Sequence, residues 1–272
     1  MKGRGRCNLF SFFWQVGFIS LLSSLYSLLL SGCITSEYNV GTHTQDTYFY
    51  SSAREIAMGS NIHKQISKEF KLSNNPYDIE RLDNIAKRIA QVVDRKELGY
   101  YFYIVEKDDE GKGQVNAFSL PGGYTYIFKD LMEKLDDDEL AFVVAHEVAH
   151  IVSRHHIKRL QAAMGYNLIL VASGAAKSDP GFTESVAFAL AQMTMSWSRE
   201  DELNADGLAV KYTKAAGFDP QAGIRAQEKL YQESKKEIRS FTYFRTHPYH
   251  AQRIRNIKET LLLPLGVDDY IN

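Results

Sequence analysis

The chain has 272 residues, 44% hydrophobic and 24% charged, enough for one globular domain with a real core and short appendages. Its formal net charge of −1 lacks the basic excess that a nucleic-acid partner requires.

The first 33 residues stand apart. Lys2, Arg4 and Arg6 form a basic start, an apolar stretch runs from Leu9 to Leu30, and Leu30-Ser31-Gly32-Cys33 follows. This order resembles a bacterial lipoprotein signal: residues 1–32 are removed and Cys33 is lipidated. The rival reading is an uncleaved membrane anchor, because the apolar stretch approaches the ~20 residues that span a bilayer. Either way the remainder lies outside the cytoplasm. Cleavage takes away Lys2, Arg4 and Arg6 and no acid, moving the net charge from −1 to −4. It also removes Cys7, so no disulfide can form within the mature chain. Ile34 in place of an acidic residue favours outer-membrane sorting, by resemblance to Gram-negative lipoproteins.

Residues 34–52 are polar with scattered aromatics and read as a flexible tether, 33–52 with the lipidated cysteine, in which His43 is solvated. The domain then covers 53–272. Ile56, Met58, Ile62, Ile66 and Phe70 predict a helix over 54–70 with Ser52 a candidate N-cap and His63 on the surface. A second helix spans about 77–94, with its stripe at Ile79, Leu82, Ile85 and Ile89. The period then changes to two. Residues 101–105, 114–120 and 124–128 read as strands, the last two separated by Pro121-Gly122-Gly123. A short helix follows over 129–135, and Asp136 or Asp137 caps the next one.

That next helix carries ELAFVVAHEVAHIVSRHH, from Glu139 to His156, and is predicted to run on to about Met164. His146 and His150, four apart, lie within about 40° of one face, so both imidazoles can meet one Zn²⁺. Glu147 stands where it can take a proton from a water at the metal. Downstream, the apolar run 168–176 is too short to span a bilayer and is read as core, and Asp179-Pro180-Gly181 is a turn. An Ala- and Met-rich helix from Thr183 leads into SREDELNAD, from Ser198 to Asp206. Helices over about 221–236 and from Pro248 close the chain.

A hydrolytic zinc site needs a third protein ligand. His156 has the spacing of the metzincin pattern, but Ser153 replaces the helix-breaking glycine. On a continuous helix His156 lies about 120° from His150. His155 and His156 are therefore read as polar surface. A glutamate from a later helix is the better candidate. Glu202 is preferred because Asp206, one turn on, can accept the free N–H of a ligand histidine; Glu200 is the fallback. A merely solvated acidic face has the same spacing.

Several segments in order resemble the CAAX prenyl endopeptidase and HtpX-like zinc metallopeptidases, including their Oma-type and periplasmic bacterial members. They are REIAMG (54–59), NAFSLPGGYTYI (116–127), DELAFVVAHEVAHIVSRH (138–155), SREDELNAD (198–206) and THPYHAQRI (246–254). The resemblance implies an α+β fold: a mostly helical, gluzincin-type zincin domain with a small β-sheet lining the cleft. It implies one Zn²⁺ on His146, His150 and Glu202, with Glu147 as general base. It places His247 near the metal, as an oxyanion stabiliser or as a fourth ligand that holds the enzyme latent, with Arg253 supporting the substrate side. Lys129-Asp130-Leu131-Met132 departs from the family's usual helix start, which leaves the cleft's shape open.

The expected reaction is hydrolysis of peptide bonds in unfolded or misassembled cell-envelope proteins. The strand at Asn116, Ala117 and Phe118 would hold an extended substrate by backbone pairing. Two rivals remain: a lipoprotein chaperone for outer-membrane proteins, and a metal-dependent amidase acting on cell-wall peptide.

Overall fold

A computed structural model describes residues 35–106, 114–172, 195–236 and 242–270. The basic start, the apolar stretch, Cys33, the turn at 179–181 and the helix expected from Thr183 lie outside the described residues, as does part of the run 168–176. No helix among the described residues is long and apolar enough to cross a membrane.

The first described residues form a hairpin in place of the expected tether. Strands β1 (Thr35–Asn39) and β2 (Thr44–Tyr48) pair antiparallel, Thr35 opposite Tyr48 and Asn39 opposite Thr44. Tyr48 and Asn39 are buried, while His43 keeps its expected solvent exposure. Polar composition hid the element because its contacts are made through hydrogen bonds. Helix α1 (Ser52–Glu69) is capped by Ser51, one residue before the expected cap, and α2 (Pro76–Val92) by Asn75 with Pro76 at its first turn.

Strands β3 (Tyr101–Val105), β4 (Ala117–Leu120) and β5 (Tyr124–Phe128) form a sheet in the order β3-β5-β4. β5 is parallel to β3 and antiparallel to β4, with Phe118 opposite Tyr126. β4 therefore forms one edge of this sheet. The Pro121–Gly123 turn needs glycine at Gly122, where φ is +77°. His63 on α1 is half-buried: its Nδ1 lies 2.7 Å from the Tyr126 hydroxyl, and its ring stacks on Tyr103 and Tyr124.

Helices α3 (Lys129–Lys134), α4 (Asp137–Val152) and α5 (His155–Ala172) follow. Beyond them come α6 (Arg199–Ala215), α7 (Ala222–Lys236), α8 (Tyr243–Thr246) and α9 (His250–Thr260). α4 is the axis of the fold. Every residue from Glu139 to Val152 is buried, as a helix apolar on all sides must be. Leu140, Phe142, Val144 and Val148 pack into a core shared with α2, α6, α7 and α9. Helix α7 approaches so closely that a Cβ on Gly223 would stand 2.4 Å from the Phe142 ring. Asp136 caps α4 and Glu139 returns the bond to the Asp136 N–H, a reciprocal capping box.

Contrary to the expectation of a continuous helix, α4 stops at Ser153. Arg154 takes a left-handed conformation at φ +53°, which costs about 1–3 kcal/mol for a non-glycine residue. Distant contacts hold it there. Asn39 Nδ2 donates to the Ser153 carbonyl at 2.9 Å, and Arg154 donates to Glu37 at 2.7 Å and to the Tyr50 carbonyl at 2.8 Å. The Arg154 guanidinium also covers the Tyr48 ring at 3.8 Å. The hairpin is the clamp on this break.

Candidate metal centre

The polar side chains of α4 have no solvent to face, so they meet polar groups from α6, α8 and α9. His146, His150, Glu202 and His247 are buried, and each offers a ligand atom within 4.8 Å of the others. His146 Nε2 and His150 Nε2 are 3.1 Å apart. Glu202 Oε1 lies 3.3 Å from His150 Nε2 and 3.0 Å from His247 Nδ1, and His247 Nδ1 lies 3.3 Å from His146 Nε2. Zn–N and Zn–O bonds of 2.0–2.1 Å at tetrahedral angles put neighbouring ligand atoms about 3.4 Å apart. These four edges, 3.0–3.3 Å, lie close to that spacing.

The charges agree. Glu147, Glu202 and Asp206 are buried beside one buried guanidinium, Arg253, leaving two negative charges when the acids are ionised and the histidines are neutral, as metal ligands must be. A divalent cation cancels them, where burial alone would cost several kcal/mol per ion. Glu202 Oε2, 2.9 Å from Arg253 Nη1, and Glu147 Oε1, 3.2 Å from His247 Nε2, receive no aligned hydrogen bond. The donor set therefore fits zinc.

The ligands are braced from behind. His146 Nδ1 lies 2.9 Å from Asp206 Oδ1, which assigns the hydrogen to Nδ1 and turns the Nε2 lone pair toward the centre. Asp206 is held in turn by Arg253, whose Nε donates at 2.9 Å and Nη2 at 2.7 Å. Burial and Arg253 push the His146 imidazole down, but Glu202 and Asp206 outweigh them and lift it to about 9, so without a cation Nε2 also carries a proton, which a metal would displace to reach the lone pair. Burial holds His150 well below the ordinary histidine value. The Glu202 carboxyl is pushed up by burial but drawn well below its usual range by Arg253, His247 and His146.

Arg253 is fully buried, with its guanidinium engaged by Asp206 and Glu202, so the expectation that it faces substrate is corrected. Glu200, the fallback ligand, is exposed. Ser198 caps α6 and sets Glu202 and Asp206 one turn apart on its inner face. Asn116, Ala117 and Phe118 lie at or just before edge strand β4. The Asn116 carbonyl accepts from Phe128 N–H at 3.0 Å, and the Phe118 ring stacks on Tyr126 at 4.7 Å.

His155 and His156 are buried, not surface. The break at Arg154 turns them back toward the centre. His150 Nδ1 and His155 Nδ1 are 2.9 Å apart, and His155 Nε2 lies 3.4 Å from Asp201 Oδ1. With His150 Nε2 turned to the centre, its Nδ1–H donates to His155, whose own Nε2–H faces Asp201. His156 Nε2 lies 3.4 Å from Ser119 Oγ. Burial holds both residues neutral, each with a pKa of about 3. Neither belongs to the ligand set. Two further neighbours went unread in the sequence. Trp197 stacks on His150 at 4.4 Å and donates its backbone N–H to the Thr246 carbonyl beside His247. Ser119 Oγ donates to Glu147 Oε2 at 2.9 Å. A lone Ser or Trp has no sequence signal for such roles; only the strand pattern around Ser119 hinted at its neighbourhood.

Residues 76–261 match the model of Peptidase family M48. The chain is similar to the beta-barrel assembly-enhancing protease of Escherichia coli (strain K12), 25% identical over 232 residues, which cover 81% of this chain and 46% of that protein. Metalloprotease LoiP of the same strain is 24% identical over 250 residues, 89% of this chain and 95% of that one. Mitochondrial metalloendopeptidase OMA1 of Saccharomyces cerevisiae (strain ATCC 204508 / S288c) is 27% identical over 228 residues, 76% of this chain and 64% of that one. The chain spans about half the length of the beta-barrel assembly-enhancing proteases it matches.

Proposed function

Because this chain belongs to peptidase family M48, we propose that it is a zinc-dependent metalloendopeptidase that hydrolyses unfolded or misassembled proteins of the bacterial cell envelope. The observation that carries this reading is the convergence of four buried ligand atoms beside Glu147. His146, His150 and Glu202 hold the ion, and Asp206 orients His146. When bound, Zn²⁺ supplies Lewis acidity, lowering the pKa of water and polarising a carbonyl. Glu147 takes the proton of the attacking water and delivers it to the leaving amine. Among the described residues no strand pairs with the outer edge of β4, and there, at Asn116, Ala117 and Phe118, an extended substrate backbone pairs; this mode reads conformation more than side chains and suits unfolded segments.

His247 stands at the fourth corner of the ligand set, its Nε2 toward Glu147. That position favours the latent-ligand role over the oxyanion role, and His247 must withdraw before a substrate carbonyl can enter. Lipidation at Cys33 tethers the enzyme to the outer membrane facing the periplasm. One set of relatives carries the name beta-barrel assembly-enhancing protease, which supports this envelope setting.

The test compares zinc content and cleavage of unfolded casein in the parent and Glu147→Gln. The parent should bind one zinc and cleave. The variant should keep its zinc and lose about 10²–10⁴-fold in rate, the range for a general base. Equal cleavage by the two proteins refutes the mechanism. A parent that does not cleave but suppresses aggregation is a chaperone, and one that instead binds and trims peptidoglycan is an amidase.

A further inference from the structure

Ser119 lies where the catalytic helix meets the strand that would hold substrate. It is the third residue of β4 and is buried. Alternation along the strand sets Ala117 and Ser119 on one face and Phe118 on the other, where its ring meets Tyr126. The Ser119 hydroxyl reaches Glu147 Oε2 at 2.9 Å. A carboxylate only accepts and a serine carries one hydrogen, so the donor is Ser119. With that hydrogen committed, its oxygen is left to accept from His156 Nε2, 3.4 Å away. The other carboxylate oxygen, Oε1, receives no aligned hydrogen bond and faces His247 Nε2 at 3.2 Å.

We propose that Ser119 is a positioning residue for the general base: it ties down Glu147 Oε2 and thereby assigns proton transfer to Oε1. The inference rests on the peptidase reading above. In the step, one O–H bond of the attacking water breaks and the Oε1–H bond forms. The water oxygen's electron pair becomes the new bond to the scissile carbonyl carbon as the C=O π pair moves onto the carbonyl oxygen, and that pair re-forms C=O when the amine departs. The proton later passes from Oε1 to the amine nitrogen as the C–N bond breaks, and Ser119 keeps its own proton throughout. An anchored Oε2 prevents the rotation that would exchange the two oxygens, so the base meets its water in one orientation. Ser119 also joins two tasks in one residue. Its backbone belongs to the edge that would pair with substrate, and its side chain holds the base, so a paired segment is registered directly against the proton acceptor.

The experiment measures kcat, KM and bound zinc for the full-length parent, Ser119→Ala, Ser119→Thr and Glu147→Gln with unfolded casein. Losing a hydrogen bond to a charged group predicts about a tenfold lower kcat for Ser119→Ala, with KM and zinc content within about twofold of the parent. Ser119→Thr keeps the hydroxyl and should retain most of the parental kcat. A crystal structure of Ser119→Ala should show the Glu147 carboxylate rotated or in two orientations. Parental kcat in Ser119→Ala, or an equal loss in Ser119→Thr, overturns the proposal, as does a loss of zinc in step with the loss of rate. If Glu147→Gln is inactive while Ser119→Ala is unimpaired, only this inference fails. If Glu147→Gln cleaves like the parent, the peptidase reading fails with it.

Discussion

Two buried charged clusters flank α4, and they are built on opposite principles. At its C-terminal end, Glu55 accepts from both Arg95 terminal nitrogens, Nη1 at 2.9 Å and Nη2 at 2.8 Å, and contacts Arg154 Nε at 3.1 Å. Arg95 also donates to the Ile151 carbonyl at 3.3 Å, a cation at a helix C-terminus where the dipole favours it. There, both carboxylate oxygens are engaged, and the two cations of this cluster face the acids Glu37, Glu55 and Glu97. In the first cluster only Glu55 of the acids is buried, but toward the middle of the same helix three buried carboxylates share one guanidinium, and Glu147 Oε1 and Glu202 Oε2 go without aligned donors. The first cluster uses both oxygens of its buried carboxylate and ties α1, the hairpin and α4 together. The second is complete only around a cation. Burial of charge by itself distinguishes nothing; what separates structure from chemistry here is whether the lone pairs are used up.

Substitutions can break that contrast. The largest effect is expected from Glu202→Gln, which should lose zinc and on the order of a thousandfold in cleavage rate. Yet with chelator present it should melt no lower than the chelated parent, because a surplus buried charge has been removed; elemental analysis and thermal scans read the two halves. Arg95→Ala should do the reverse. It should lose about 3–5 kcal/mol of stability by urea unfolding while the folded fraction keeps its zinc.

Smaller effects probe the hairpin clamp and the helix itself. Burial pushes the Asp46 carboxyl up, but Lys158, Asn39, Tyr48 and Thr44 outweigh it and hold it at about 2, below the ordinary 3.8. A depressed folded value stabilises above the unfolded one, so this contribution is present above about pH 4 and fades as pH falls toward 2. Unfolding at pH 3 and pH 6 should therefore show a shallower acid loss in Asp46→Asn than in the parent. Asp136→Ala, which removes half of the capping box, should cost about 1 kcal/mol by urea midpoint and leave kcat unchanged.

Local pattern was enough for much of this molecule. Period-two residues in 101–105 and 124–128 became strands, and the Asp136 cap starts its helix as side chains of that kind do, whereas the helix expected to run from Thr183 into SREDELNAD is interrupted at 195–198 and α6 starts after Ser198. His146 and His150 converge because four residues make nearly one turn, and Glu202 with Asp206 repeats that arithmetic on a second helix. These features depend on neighbours close in sequence, so the sequence by itself determined them. The hairpin at 35–48, the halt of α4 at Ser153 and the inward turn of His155 and His156 depend on partners far along the chain. Arg154 is held at positive φ by Glu37 and Tyr50, more than a hundred residues earlier, and no local preference signals it. Tertiary structure alone decided those points, because a strained backbone conformation persists only where distant contacts repay its cost.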